Sequence, residues 1–166
     1  MNSAISIHAN GGEPAALTAA RLDAGQQELA ARIQHALRGD GSVEALPGLL
    51  LHRSSAPGEP LHSVYDPRFC VIAQGSKEVF LGSEHYLYDA ARYLIVTADL
   101  PIVSHVLEAS PACPYLSLSL KLDPALVSSV MMEAGNAALQ QRASVRAVNV
   151  SALDADLLDA VVRLVR

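Results

Sequence analysis

Six histidines invite a metal reading, and their spacing is its first test. Two histidines separated by one residue set both rings on one face of a β-strand, the arrangement a strand-borne metal site needs. Here His52, His62, His85 and His105 are scattered, no HxH occurs, and His85 is followed by Tyr86 and Leu87. The histidines are expected at the surface or in hydrogen bonds, and no metal or other cofactor is expected. Hydrolytic chemistry has no better footing. There is no G-x-S-x-G, and neither Cys70 nor Cys113 sits in a local signature of a catalytic thiol. Two cysteines without a CxxC pair make no disulfide framework, and Cys70, inside an apolar run, reads as a buried reduced thiol. Gly75 and Gly82 are too isolated for a phosphate-binding loop and read as hairpin glycines. No catalytic residue is assigned.

Ligand binding fits these residues better. Tyr86 and Tyr88 alternate onto one face of a strand and can offer ring surface and hydroxyls. His105, on the Val103–His105–Leu107 face, and Arg53, at the end of an earlier strand, can add polarity. The competing account is that the two tyrosines only pack, with their hydroxyls satisfied at a barrel rim. Lys77 and Arg92 read as structural, pairing with Glu78, Glu84 or Asp89 near the turns, where such pairs contribute little.

These side chains are carried by the run from Phe69 to Pro101, short apolar segments punctuated by Gly75 and Gly82, which reads as consecutive antiparallel strands. The expected strands are Leu49–Arg53, Phe69–Gln74, Ser76–Leu81, Glu84–Tyr88, Arg92–Thr97, Ile102–Leu107 and Tyr115–Leu122. Along the second of these glycine-bounded runs, Lys77, Val79 and Leu81 share one side. In the last strand Leu116, Leu118, Leu120 and Leu122 point one way, against Tyr115, Ser117, Ser119 and Lys121. Residues 1–16 read as a mobile tail, 17–45 as an N-terminal helix, 46–122 as a small β-barrel or sandwich, and 123–166 as C-terminal helices. Leu22, Leu29, Ile33 and Leu37 give the first helix its apolar stripe, over Thr18 to Leu37. Asp123-Pro124 starts a second helix, expected to stop at Gly135-Asn136. Residues 142–150 are left open as a short strand or a loop. Ser151 with Asp154 resembles a capping box opening a last helix.

On that helix Leu153, Leu157, Ala160 and Leu164 follow a coiled-coil rhythm and are expected at a homodimer interface. Packing of the same stripe on the first helix is the alternative. The helix reaches Arg166 still apolar and without a stop signal, so the chain is expected to belong to a longer protein. Net charge is −5 and the pI near 5.6, which argues against nucleic-acid binding by this chain itself. With 51% hydrophobic residues a core is easily filled. No signal peptide and no membrane-spanning run is legible, and a cytoplasmic location is expected.

Pro47-Gly48-Leu49, Gln74-Gly75-x-Lys77, Leu81-Gly82, Tyr86-x-Tyr88-Asp89, Arg92-Tyr93-Leu94, Asp99-Leu100-Pro101 and Pro114-Tyr115-Leu116 form an ordered series. Together they resemble the N-terminal domain of AraC-type transcriptional regulators, over roughly Leu46 to Gly135. The resemblance implies a mainly β fold, a cupin-like double-stranded β-barrel with flanking α-helices. It implies effector sensing or dimerisation, with an unidentified small molecule as partner, and DNA binding by a C-terminal pair of helix-turn-helix motifs. Nothing after Ser151 has that pattern, so DNA is expected to be reached only through a domain outside this chain. The rival is a small metal-dependent cupin enzyme, an isomerase or dioxygenase, against which the absent HxH counts.

Overall fold

The computed structural model describes residues 12–134 and 146–165. Positions 1–11 of the expected tail, the stop at Gly135-Asn136, the segment 137–145 and Arg166 lie outside the described residues. The protein is mainly β. Helix α1 (Gly12–Ala36) precedes β1 (Gly41–Leu46), β2 (Leu49–Ser54), β3 (Leu61–Tyr65), β4 (Arg68–Gln74) and β5 (Ser76–Leu81). Then come β6 (Glu84–Asp89), β7 (Arg92–Val96), β8 (Leu100–Glu108) and β9 (Tyr115–Lys121). Helix α2 (Pro124–Glu133), β10 (Val148–Ala152) and α3 (Ala155–Leu164) complete the order.

The strands form two antiparallel sheets, β1-β2-β9-β4-β7-β10 and β3-β8-β5-β6. Each of the seven expected strands is present within two residues of its expected bounds. Two others were not anticipated. β1 is exposed along its whole length and so lacks an apolar alternation, and its ladder to β2 holds it in place. β3 follows a proline-rich loop and pairs only along β8, at the edge of the smaller sheet. Residues 12–16 and 41–45, expected in the tail and the helical segment, belong instead to α1 and β1.

Gly82 sits in the β5–β6 hairpin as expected, but Gly75 does not make a hairpin. It joins β4 in one sheet to β5 in the other. Its φ is +87°, and a Cβ there would lie 2.4 Å from the Glu108 carbonyl oxygen, so only glycine fits the corner.

Two cores flank the larger sheet. On its outer face Leu49, Leu51, Val71, Ala73, Leu116 and Leu118 pack under Leu29 and Ile33 of α1 and Leu158, Val161 and Val162 of α3. α1 approaches α3 closely at Gly25, where a Cβ would meet Leu158 Cδ2 at 2.9 Å. On its inner face Cys70, Ile72, Leu94, Val96 and Val148 meet Val79, Tyr88 and Ile102 of the smaller sheet. Asp123 caps α2 by accepting from the Ala125 N–H at 2.8 Å, with Pro124 at the first helical position. Ser151 does not open α3. It lies in β10 opposite Tyr93, and Asp154 caps the helix instead, accepting from Leu157 N–H at 2.8 Å. The β10–β7 ladder satisfies several backbone groups of that segment, more than a capping box would.

Candidate functional site

The inner core fills only part of the barrel. Beside it lies a hollow of about 350 Å³ between the two sheets. Alternation builds its walls. β2 turns Leu50, His52 and Ser54 inward, β9 turns Tyr115, Ser117 and Ser119 inward, and β8 contributes Ser104 and Val106. β3 adds Leu61, Ser63 and Tyr65, and β4, β5 and β6 add Arg68, Cys70, Lys77 and Tyr88. Gly58 and Glu59, exposed in the loop from β2 to β3, also line it, so the hollow opens there. β2 and β3 belong to different sheets, and among the described residues no ladder joins them.

The chemistry of the hollow is hydroxyls, rings and cations. The Arg68 guanidinium is ion-paired with Asp66 and stacks 4.6 Å from the centre of the Tyr65 ring. Asp66 also takes Lys121 Nζ at 3.2 Å, and these hydrogen bonds hold its carboxyl below the usual range although burial opposes them. The Lys77 ammonium donates to Tyr65 Oη at 2.9 Å. His52 Nδ1 lies 2.8 Å from Ser42 Oγ, and its ring meets Tyr115 edge-on at 5.9 Å. Burial, helped by the charge of Lys77, lowers the His52 pKa. Burial pushes the Cys70 thiol up to about 11 and raises the Tyr88 and Tyr115 phenols, so all three are neutral at pH 7. Both cysteines are free thiols, Cys70 buried and Cys113 exposed. Ser63 Oγ is buried with no hydrogen-bond partner.

Of the four residues expected at a ligand site, Tyr88 lines this hollow and is buried. Tyr86 faces inward on the same strand but lies apart from it, donating to Glu84 beside the β10 edge. His105 stands on the outer face of β8, where Glu78 accepts from or faces both His105 Nδ1 at 2.9 Å and His85 Nε2 at 3.0 Å. Arg53 is turned to the helix side of β2, donating from Nη1 to the Leu37 carbonyl at 3.1 Å. Its Nε is 3.8 Å from Asp40 Oδ1, too long for a hydrogen bond.

Lys77, expected in a surface pair, points into the barrel. The signal was its place on one strand face with Val79 and Leu81. Ser117 and Ser119 carry no such signal, because the polar side of an alternating strand reads as solvent-facing until a second sheet covers it. At the expected dimer seam, Leu153 is buried and Leu157 packs on the outer core, whereas Ala160 and Leu164 are exposed. Among the described residues no group of three His, Cys, Asp or Glu side chains is placed to hold a metal ion.

No curated protein matches the sequence. Among solved structures, ToxT from Vibrio cholerae is similar, with a TM-score of 0.51 and 10% identity over 71% of this chain and 46% of that one. ToxT of strain O395 bound to (E)-4-(8-methylnaphthalen-1-yl)but-3-enoic acid has a TM-score of 0.50 and 10% identity, covering 69% and 45%. The chain therefore spans less than half the length of these ToxT chains, and the likeness is one of fold. A family model described as AraC-type transcriptional regulator N-terminus matches residues 45–166, from the end of β1 through the barrel to α3. The chain belongs to the family of AraC-type transcriptional regulator N-termini.

Proposed function

We propose that this chain is the effector-sensing part of a transcriptional regulator, with no catalytic role of its own. A small molecule entering the barrel would bias a DNA-binding domain outside this chain. The observation that carries the reading is the hollow of about 350 Å³ beside an otherwise well-packed barrel, within the size range of small-ligand sites. The ToxT structure bound to a naphthalenyl butenoic acid is consistent with ligand binding on this fold. The net charge of −5 suits a sensor that leaves phosphate contact to another domain. Among the described residues no helix is long and apolar enough to cross a membrane, and we place the protein's work in the cytoplasm.

The mechanism is a population shift, in which ligand favours whichever arrangement of barrel and helices it binds better. β2 is the element suited to carry it. Its inward side chains line the hollow, while Leu49, Leu51 and Arg53 on its other side contact the helical layer. Homodimerisation through α3 belongs to the same reading. Because Leu153 and Leu157 are occupied within the chain, the pairing surface is assigned to Ala160 and Leu164.

A thermal-shift screen against small metabolites tests the proposal, since a ligand that binds the folded state raises its apparent stability. A hit should lose its effect in Ser119→Phe, which fills the hollow, and in Tyr88→Ala. A shift that survives both substitutions would place the effector elsewhere and overturn this reading.

A further inference from the structure

Resting on the hollow as the effector site, we propose that Asp40 is a two-position switch between the rim of the hollow and the end of α1. The segment from Ser54 to Glu59 forms that rim, and Ser54, Gly58 and Glu59 line the hollow directly. Gly58 N–H donates to the Val106 carbonyl at 3.3 Å, tying the rim to β8. Ser55 Oγ donates to Asp40 Oδ1 at 2.7 Å, tying it to the turn after α1. The same Asp40 oxygen faces Arg53 Nε at 3.8 Å, too far for a hydrogen bond. Arg53 Nε is buried, and among the described residues it has no hydrogen-bond partner. Buried donors are seldom left unpaired, and the acceptor nearest this one is spent on Ser55. Arg53 also holds α1, since its Nη1 donates at 3.1 Å to the carbonyl of Leu37, immediately after the last residue of the helix.

Asp40 Oδ1 thus stands between two competing donors. With the rim seated, Ser55 takes it, and hydrogen bonds from Ser55 are the main cause that holds the Asp40 carboxyl below its usual range. A ligand that fills the hollow presses on the rim from within, at Ser54. Once Ser55 lifts away, a shift of roughly 1 Å brings Asp40 Oδ1 onto Arg53 Nε and replaces a neutral donor by a charged one. Arg53 is then held at Nε by Asp40 and at Nη1 by the Leu37 carbonyl, which fixes the end of α1. α1 in turn grips α3, through Gly25 against Leu158 and through Arg21 with Asp156 at 3.0 Å and Asp159 at 2.6 Å. Occupancy of the hollow is read as a choice between two hydrogen bonds, and the choice is passed to the helical layer.

The test reads the Arg53 Nε–H resonance of the purified chain by proton–nitrogen correlation NMR, assigned by its loss in Arg53→Lys. Ser55→Ala frees Asp40, and should move that proton downfield and slow its exchange with water at least about tenfold, as a new charge-assisted hydrogen bond requires. Ser55→Thr keeps the hydroxyl and should match the parent, and adding Asp40→Asn to Ser55→Ala should undo the change. Ser54→Phe fills the space under the rim with Ser55 intact and should reproduce the Ser55→Ala signal, with circular dichroism reporting the fold. An Arg53 resonance in Ser55→Ala equal to the parent's, or one altered equally in Ser55→Thr, overturns the switch. A folded Ser54→Phe chain that is parent-like at Arg53 cuts the link to the hollow and overturns it too. A thermal-shift hit abolished by Ser119→Phe that leaves Arg53 unmoved sinks the switch and keeps the hollow as effector site. A hit that survives both Ser119→Phe and Tyr88→Ala fails the effector-site reading itself.

Discussion

The two faces of the larger sheet share every strand and differ in almost everything else. β9 makes the contrast at single-residue resolution. Leu116 and Leu118 are buried under α1 and α3, while Tyr115, Ser117 and Ser119 on alternate positions look into the hollow. The helix side is apolar and continuous, and its work is stability. The barrel side is packed around Ile72, Leu94 and Val96 but leaves space beside β2, β3 and β9, where the lining turns to hydroxyls and cations. A sheet covered on both sides need not be apolar on both. The face that keeps its polar residues is the one with room for a ligand.

Substitutions that separate the faces should differ in size and in kind. The largest effect is expected at the corner that brings the second sheet over the first. Gly75→Ala combines a left-handed backbone with a contact of 2.4 Å to a carbonyl, and chemical denaturation should show a loss of about 3 kcal/mol or more. Gly82→Ala, with open space around it, tests the strain alone and should cost about 1 kcal/mol. Equal losses at the two glycines would mean that the corner contact is not what matters.

On the helix side, Leu116→Ala should lose about 2–5 kcal/mol by opening a cavity under α1. Ala160→Asp with Leu164→Asp should leave unfolding within about 0.5 kcal/mol of the parent, because both positions are exposed, yet convert a sedimenting dimer to monomer. A parent that sediments as a monomer at micromolar concentration would remove the proposed interface.

On the barrel side the expected signature is pH rather than loss of packing. His52 has a depressed folded pKa, so below about 6.5 the unfolded chain binds the proton more readily, and stability falls as pH drops through the folded value. The depressed carboxyls of Asp40, Asp66 and Glu78 lose their contributions only below their ordinary range near 4, so the fall due to His52 comes first as pH drops. Melting temperatures from pH 7 to 5 should decline in the parent and decline less in His52→Gln. The smallest effect is expected for Ser119→Ala, within about 0.5 kcal/mol, because its hydroxyl lines space instead of holding the core. A loss comparable to Leu116→Ala would abolish the distinction between the faces.

Much of this was legible in the chain because strands and caps are local. The alternation from Tyr115 to Lys121, the Asp123-Pro124 helix start and the apolar stripe of α1 each depend on spacing along a few residues. β1 and β3 escaped because an exposed edge strand is defined by its partner, and the partner is distant in sequence. Ser151 departs from its local pattern for a related reason, since its pairing with Tyr93 outweighs a local cap. The ordered motifs from Pro47 to Leu116 sufficed for the family, since a family is a pattern in sequence. The site is a different kind of object. Period-two alternation places Lys77 with Val79 and Tyr86 with Tyr88, but it cannot say which face closes over a void or how far along a strand the void extends. Only the packing of one sheet across the other decides that Tyr88 lines the hollow while Tyr86 does not, and that Arg53 backs onto a helix while His52 faces the hollow.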